Sequence, residues 1–522
     1  MRLTDETLAD IQGIITSGYG HLPHAAYLFV TMTESTGARR WLSRISASLT
    51  SSARWSGESR AAKSKPRSAV NVGITAEGLR ACGLPSHVLC TFPSEFQEGI
   101  VSPERSRILG DTGDSAPDVW EIGGPRTAPV HAVLLLFAAD EAHLDELCTA
   151  QRAILEASEG VAEPRGSLQR GYRPDTASEP FGFHDGIAQP KIAGVDGAGV
   201  ATGEFILGYE NHYGLIAPTP VVPRHMDPGT ILPPSSNPYH DAEALADLGK
   251  NGSYLVYRKL QQDVAGFWQF MANEAARAGY TGTNGIVWLA SKCVGRWPSG
   301  APLALAPERD DVRLSERDDF SYSDDPDGLR CPVGAHVRRT NPRDALKPYP
   351  PQQSLNMTDA HRLIRRGRMF GPALFDAGML RQPSSANARE ALLALRDDGQ
   401  ARGVHFFCVN ASLKSQFEFV QQTWCNNPRF GGLNDNMDPL ASSPGANEIP
   451  SRMTIPRGDG AAYTRVTAIC HGESWRVPFS SESDGAALSG AELTAIDFRR
   501  VWRRVCLRHG SGQGRPASTC SM

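Results

Sequence analysis

Apolar runs of strand length alternate with stretches of helical spacing along this chain, and the alternation occurs twice. His24 to Met32 (HAAYLFVTM) is a short continuous apolar run and reads as a buried strand. Thr36 to Leu49 follows with Trp41, Leu42 and Ile45 on one face of a helix. Ala69 to Ile74 is a second strand, and Thr75 to Cys82 a helix ended by Gly83-Leu84-Pro85. His131 to Ala138 is a third strand, and Asp140 to Glu156 a second long helix. A similar order returns later. Gly252 to Arg258 reads as a strand, Gln261 to Ala278 as a helix, Gly403 to Asn410 as a strand and Ser412 to Cys425 as a helix. The pattern is α+β, and two halves with one element order predict a duplicated unit. No residue-level repeat accompanies it, so one irregular α+β domain is the competing description.

Between the halves, Ala217 to Pro238 carries a dense run of prolines. A buried sheet could not use residues that lack an N–H donor, so the spacing predicts an extended loop or linker. Thr50 to Arg67 is a polar, basic loop, and Arg309 to Gly328 is acidic and turn-rich, which predicts a solvated insertion and not a metal site. The residues from His509 to Met522 read as a frayed tail. The expected organisation is a first half over 1–215, a connecting loop over 216–250, a second half over 251–508 and a tail over 509–522.

Composition narrows the function class. A chain of 522 residues with 40% hydrophobic content makes one large domain or two to three ordinary ones. A net charge of -4 with interspersed signs argues against a nucleic-acid partner. The longest apolar stretch, Ala132 to Ala139, is too short to span a bilayer, so no membrane partner is expected. The opening residues show no basic segment followed by an apolar core, and Arg39-Arg40 lie too deep for a twin-arginine signal; a cytoplasmic location is expected. The ten cysteines form no C-x-x-C pair, which argues against structural zinc, and no C-x-x-C-H, which argues against covalent haem attachment. They read mostly as buried thiols.

Three places could carry chemistry. Gly182-Phe183-His184-Asp185-Gly186 sets one acidic residue between two glycines, whose conformational freedom allows a tight path that presents the carboxylate at a fixed angle. Taken alone, the pattern also suits a surface turn with a solvated Asp. His336 stands in CPVGAHVRRTNPRD, after a Gly-Ala pair that would let a planar cofactor approach. A histidine binds iron through one ring nitrogen when the other donates to a fixed acceptor. Arg365 lies in HRLIRRGRMFGP, where an arginine can bring a permanent positive charge into a pocket, although a weak surface ion pair fits the local sequence as well.

Together with their surroundings these segments resemble the dye-decolourising peroxidases, a family of haem enzymes. The resemblance covers most of the chain and keeps the family's order. It runs through DIQGIITSGYGHLPHAAYLFV (Asp10 to Val30), GITAEGLRACGLP (Gly73 to Pro85), FPSEFQEGI (Phe92 to Ile100), LGDTGDSAPDVW (Leu109 to Trp120), FGFHDGIAQP, GSYLVYRKLQQDV (Gly252 to Val264), GAHVRRTNPRD (Gly334 to Asp344) and FEFVQQTW (Phe417 to Trp424). It implies duplicated ferredoxin-like domains, each an antiparallel sheet with helices, and haem b in the second half. By the same resemblance His336 is the axial iron ligand, Asp185 the distal acid–base and Arg365 the distal arginine, with Arg366 as the alternative if the register slips by one. Glu418 matches the position of a carboxylate facing the axial histidine. Phe406, sharing a strand face with Val404 and Cys408, would form the apolar wall above the haem, or simply pack the core.

The implied activity is that of a haem b peroxidase, which uses hydrogen peroxide to oxidise organic donors such as dyes and phenols by one-electron steps through an oxo-ferryl intermediate. The alternative is haem storage, delivery or iron release without peroxidase turnover. The oligomeric state and the natural reductant leave no mark in the sequence.

Overall fold

A computed structural model describes residues 2–54, 66–237, 241, 243–280, 282–381, 386–442, 452–456, 463–467 and 489–495. The tail from His509, Cys470, Cys506, Cys520 and most of the basic loop after Thr50 lie outside the described residues. In the first half the elements run β1 (His24–Met32), α1 (Ser35–Ile45), β2 (Ser68–Ile74), β3 (Ala132–Ala138), α2 (Glu141–Glu156) and β4 (Leu168–Tyr172). Their sheet order is β4-β1-β3-β2, all antiparallel, which is the ferredoxin-like arrangement of a β-α-β-β-α-β chain.

The second half opens with β5 (Ser253–Gln261), α3 (Val264–Arg277) and α4 (Gly282–Val294). It continues through β6 (Ile364–Arg365), β7 (Arg368–Phe370), β8 (Gly403–Asn410) and β9 (Ser489–Ala495). The order here is β9-β5-β8, with β6 and β7 both on the far side of β8. The halves do not form separate sheets. β9 pairs with β2 through Thr494 and Ile74, and β7 pairs with β4 through Met369 and Tyr172, so the strand order returns on itself.

The central strands β1 and β3 are apolar on both sides because each side is covered. On one face Ala26, Leu28, Val30, Leu134 and Leu136 pack on Trp41, Leu42 and Ile45 of α1 and on Leu144, Cys148 and Leu155 of α2. The other face is a core shared by the two halves: Tyr27, Phe29, Leu135 and Phe137 meet Leu255, Tyr257, Phe407 and Val409. A third cluster, with Phe181, Phe183, Phe267, Trp268 and Leu289, lies beneath the helices of the second half.

Three sequence expectations change. The proline-rich segment is not wholly irregular, since Val221–Pro223 pairs with Leu245–Asp247; Pro223 sits at the strand end, where a missing N–H costs nothing. The acidic segment from Arg309 is only partly solvated, because Phe320, Tyr322 and Asp325 are buried and Asp325 pairs with Arg338 at 3.2 Å. The helix after β8 is π-helical over Lys414–Glu418 and Val420–Cys425. Among the described residues the cysteines are all buried but Cys90, and no helix is long and apolar enough to cross a membrane.

One polar group sits inside the shared core. His405 is fully buried; its Nδ1 lies 3.1 Å from the Tyr257 hydroxyl and its Nε2 3.2 Å from the Arg170 carbonyl. A neutral ring satisfies both partners, accepting at Nδ1 and donating at Nε2. Burial, with the charge of Lys259, pushes its pKa down to about 3. Between that value and its unfolded value of ~6.5 the unfolded chain binds a proton that the folded chain does not. The stability it contributes is therefore complete above the unfolded pKa and falls with pH by about 1.4 kcal/mol per unit. The His405→Gln variant is expected to lose this part of the acid sensitivity. Thermal melts of both proteins from about pH 7 to about pH 4 measure it; parallel Tm curves would show that His405 does not titrate on unfolding.

Candidate functional site

The segment bearing Asp185 is a turn locked from both sides. Gly182 at φ +97° and Gly186 at φ +88° occupy backbone conformations that side chains disfavour. A Cβ at Gly182 would come within 2.5 Å of Leu380. The Asp185 N–H donates to the Ala177 carbonyl at 2.8 Å, and the His184 N–H to Pro298 at 3.1 Å. The Asp185 carboxylate stays half exposed on a cavity of about 340 Å³, which Arg365, Gln189, Arg173 and Glu179 also line.

Arg365 reaches that cavity because of strand alternation. It pairs with Cys408, so its side chain shares a face with Val404, Phe406 and Cys408. Its Nη1 lies 3.6 Å from Asp185 Oδ1, its Nη2 donates to the Ile187 carbonyl at 2.6 Å, and its N–H donates to Gln189 Oε1 at 2.9 Å. Arg366 points the other way and is buried, donating to the carbonyls of Ile14 and Ile15 at 2.6 and 2.8 Å. The geometry thus brings Arg365, and not Arg366, to Asp185. Val404 and Phe406 are only half-buried on a strand whose other face is buried, with Phe406 6.5 Å from Phe417 between ring centroids.

His336 begins the short helix His336–Thr340. Its Nδ1 lies 3.0 and 3.1 Å from the two oxygens of Asp438, and its Nε2 has no hydrogen-bond partner among the described residues. Asp438 is fully buried and also accepts the N–H groups of Leu440 and Ala441 at 2.8 Å. Burial alone would raise its carboxyl pKa, yet His336, Arg339 and the Ala441 amide together hold it below the usual range. Glu418 does not meet His336. It pairs with Arg105 at 2.9 Å, because the π-helical backbone, with Glu418 N–H donating to Leu413, turns its side chain to another face. Asp438 was not singled out in the sequence: it lies 102 residues from His336, in a turn with no periodic or spacing signal.

The turn from Gly295 to Gly300 links these groups. A Cβ at Gly295 would lie 3.1 Å from Val337, and one at Gly300 would lie 2.5 Å from Ile187 and 3.4 Å from His184. Arg296 within it, and Arg343 nearby, both pair with Asp318, while Arg362 lies 3.7 Å from Asp359. Burial, together with the repulsion of Arg343 and Arg365, lowers the pKa of Arg362. Arg343 Nε is buried with no partner among the described residues. An imidazole with one nitrogen fixed and one open, an apolar half-buried strand face and arginines outnumbering their acids suit a planar iron porphyrin with anionic edges. No cluster of His, Cys, Asp and Glu that could hold a bare metal ion occurs among the described residues.

No family model matches the chain. A dye-decolorizing peroxidase of Mycetinis scorodonius, msp1, is 28% identical over 458 residues, which cover 86% of this chain and 79% of the relative. Peroxidase 2 of the same organism is 30% identical over 434 residues, covering 81% of this chain and 74% of the relative. A crystal structure of a DyP superposes with a TM-score of 0.70 at 22% identity, covering 97% of this chain and 99% of the other; at that identity the likeness speaks for the fold.

The two carboxylates are separable by haemin titration. Removing the carboxylate that orients the ring, in Asp438→Asn, is expected to weaken haemin binding by about 10- to 100-fold. Glu418→Gln is expected to leave it unchanged. Equal losses in both would place Glu418 back at the histidine.

Proposed function

Because the chain belongs to the dye-decolourising peroxidase family, whose members are haem-dependent enzymes, we propose that it uses hydrogen peroxide to oxidise organic donors such as dyes and phenols in one-electron steps. The observation that carries this reading is the meeting of Asp185 and Arg365 at 3.6 Å on one cavity, a pair that simple haem carriage does not need.

His336 Nε2 would ligate the iron of haem b, with Asp438 holding the ring in one tautomer and making the imidazole a stronger donor. Arg343 and Arg362 would meet the propionates, and Val404 and Phe406 would keep water from the porphyrin face. When bound, haem b supplies the iron at which the peroxide O–O bond is cleaved and the oxidising equivalents that two donor molecules then quench. Asp185 takes the proton from one peroxide oxygen and returns it to the other, as general base and then general acid. Arg365 stabilises the negative charge that grows on the departing oxygen. Its bond to the Ile187 carbonyl and its N–H bond to Gln189 hold it in place without using all its donors.

The architecture belongs to the same reading. Residues 1–215 and 251–508 are two ferredoxin-like units of one duplicated plan, joined by 216–250, and the recurring strand order supports it.

Loading the protein with haemin, adding one equivalent of peroxide and following the Soret band in a stopped-flow instrument tests the function. A change complete within milliseconds is expected. In Asp185→Asn the rate constant should fall by about 10²- to 10⁴-fold, and in Arg365→Leu by about 10²- to 10³-fold, with haem still bound in both. A wild-type haem that peroxide merely bleaches would overturn peroxidase turnover in favour of haem handling.

A further inference from the structure

The turn that carries Asp185 has a hydrogen-bonding problem that its backbone does not solve. Between Glu179 and Phe183 the chain reverses over Gly182, and the reversal closes with Glu179 N–H donating to the Phe183 carbonyl at 2.8 Å and Gly182 N–H to the Glu179 carbonyl at 2.7 Å. The N–H groups of Phe181 and Phe183 take no part in that closure and turn to a side chain instead. Both side chains are buried, with ring centroids 4.3 Å from Phe267 and 6.2 Å from Trp268 respectively. An amide left unpaired in such a place would destabilise the turn.

One carboxylate satisfies both. Glu179 Oε2 accepts from Phe181 at 3.0 Å and Oε1 from Phe183 at 2.9 Å. Gln262 Nε2 adds a third bond, to Oε2, at 2.7 Å. Gln262 immediately follows β5, and its own N–H donates to Arg402 just before β8 at 2.8 Å. Glu179 therefore ties the turn to two strands of the second half, and β8 is the strand against which Arg365 is registered. Asp185, two residues beyond Phe183, inherits its position from this turn, and Glu179 lines the cavity into which Asp185 faces.

We propose that Glu179 is a positioning residue for Asp185, holding the turn from 179 to 185 in the shape that aims the Asp185 carboxylate at Arg365. This rests on the proton-transfer role given to Asp185 above. The role inferred for Glu179 is one of placement. It acts through two backbone amides, and an amide side chain at the same place would serve them poorly, because one of its two heads is a donor facing donors.

The test uses Glu179→Gln in the full chain with two kinds of readout. Hydrogen exchange, measured without haem, reports the turn directly: faster exchange over residues 181–185 is expected. Stopped-flow on the haem-loaded protein separates the peroxide step from the donor step. The peroxide rate constant is expected to fall about a hundredfold, as displacement of a catalytic group by an ångström does, with the donor rate constant and haem affinity unchanged. A peroxide rate constant within about twofold of wild type would overturn the proposal, and so would a parallel fall of both rate constants with haem affinity, which is what a merely structural residue would give. If Glu179→Gln does not fold, Gln262→Ala carries the same test through the loss of one hydrogen bond, with about a tenfold loss expected in the peroxide step alone and no loss overturning it. A wild-type protein that fails to react with peroxide would sink the proposed function, while the exchange measurement would still decide whether Glu179 holds the turn.

Discussion

Strand alternation between residues 364 and 370 is the constraint on which the site depends. Ile364 pairs with Val409, Arg365 with Cys408, Arg368 with His405 and Phe370 with Gly403, and the Arg366 N–H bridges the interval to the Phe407 carbonyl at 2.8 Å. The register is unbroken, so successive side chains leave on opposite faces. Arg365 emerges beside Phe406 and reaches Asp185. Arg366 and Arg368 enter the interior, where a cation is tolerated only with its donors engaged. Arg366 meets the carbonyls of Ile14 and Ile15, and Arg368 those of Gly18, Tyr19 and Leu22. A slip of one residue would exchange these environments. Gly367 lies at the tightest point of this pairing: a Cβ there would stand 2.3 Å from the His405 carbonyl oxygen.

The elements most legible in the sequence were those whose burial leaves an apolar run. The runs from His24 and Gly403 correspond to strands His24–Met32 and Gly403–Asn410. Ser489–Ala495 joins the same sheet, yet SGAELTA contains no such run and was not read. Residues 364–370 were opaque for a different reason. Two of their four inward positions, 366 and 368, are arginines, satisfied by backbone carbonyls of another segment, and no local pattern announces acceptors more than 300 positions away. The resemblance set Glu418 opposite the axial histidine; in the structure the backbone there bonds to the fifth preceding residue, its faces rotate away from the 3.6-residue period, and Glu418 pairs with Arg105.

The site divides along similar lines. Asp185 was visible through its flanking glycines and His336 through the small residues before it, since both signals record what the backbone must do locally. The choice between Arg365 and Arg366 was not local, because both lie in one basic stretch and only pairing with β8 separates them. Asp438 gave no signal, being a single acid in a turn. Its role comes from burial and from the N–H groups of Leu440 and Ala441, which tertiary structure alone supplies.

Asp438 and Asp185 are held in opposite ways, and the difference matches the tasks proposed for them. Asp438 is enclosed, with His336 and two backbone N–H groups on its oxygens. Protonating it would oppose each of those donors, so its charge stays fixed and the orientation of His336 with it. Asp185 is 51% exposed, and its side chain has one close bond, to the Gly186 N–H at 2.6 Å. Arg365 stands 3.6 Å away, beyond hydrogen-bond length, so neither group is committed to the other. A small ligand with two adjacent oxygens can take one contact from each. A tighter ion pair would have to be broken first, and a buried acid could not reach water to reset its proton between turnovers. For the proposed peroxide chemistry, the looseness of the Asp185–Arg365 pair is therefore as much a requirement as the rigidity of Asp438 and His336.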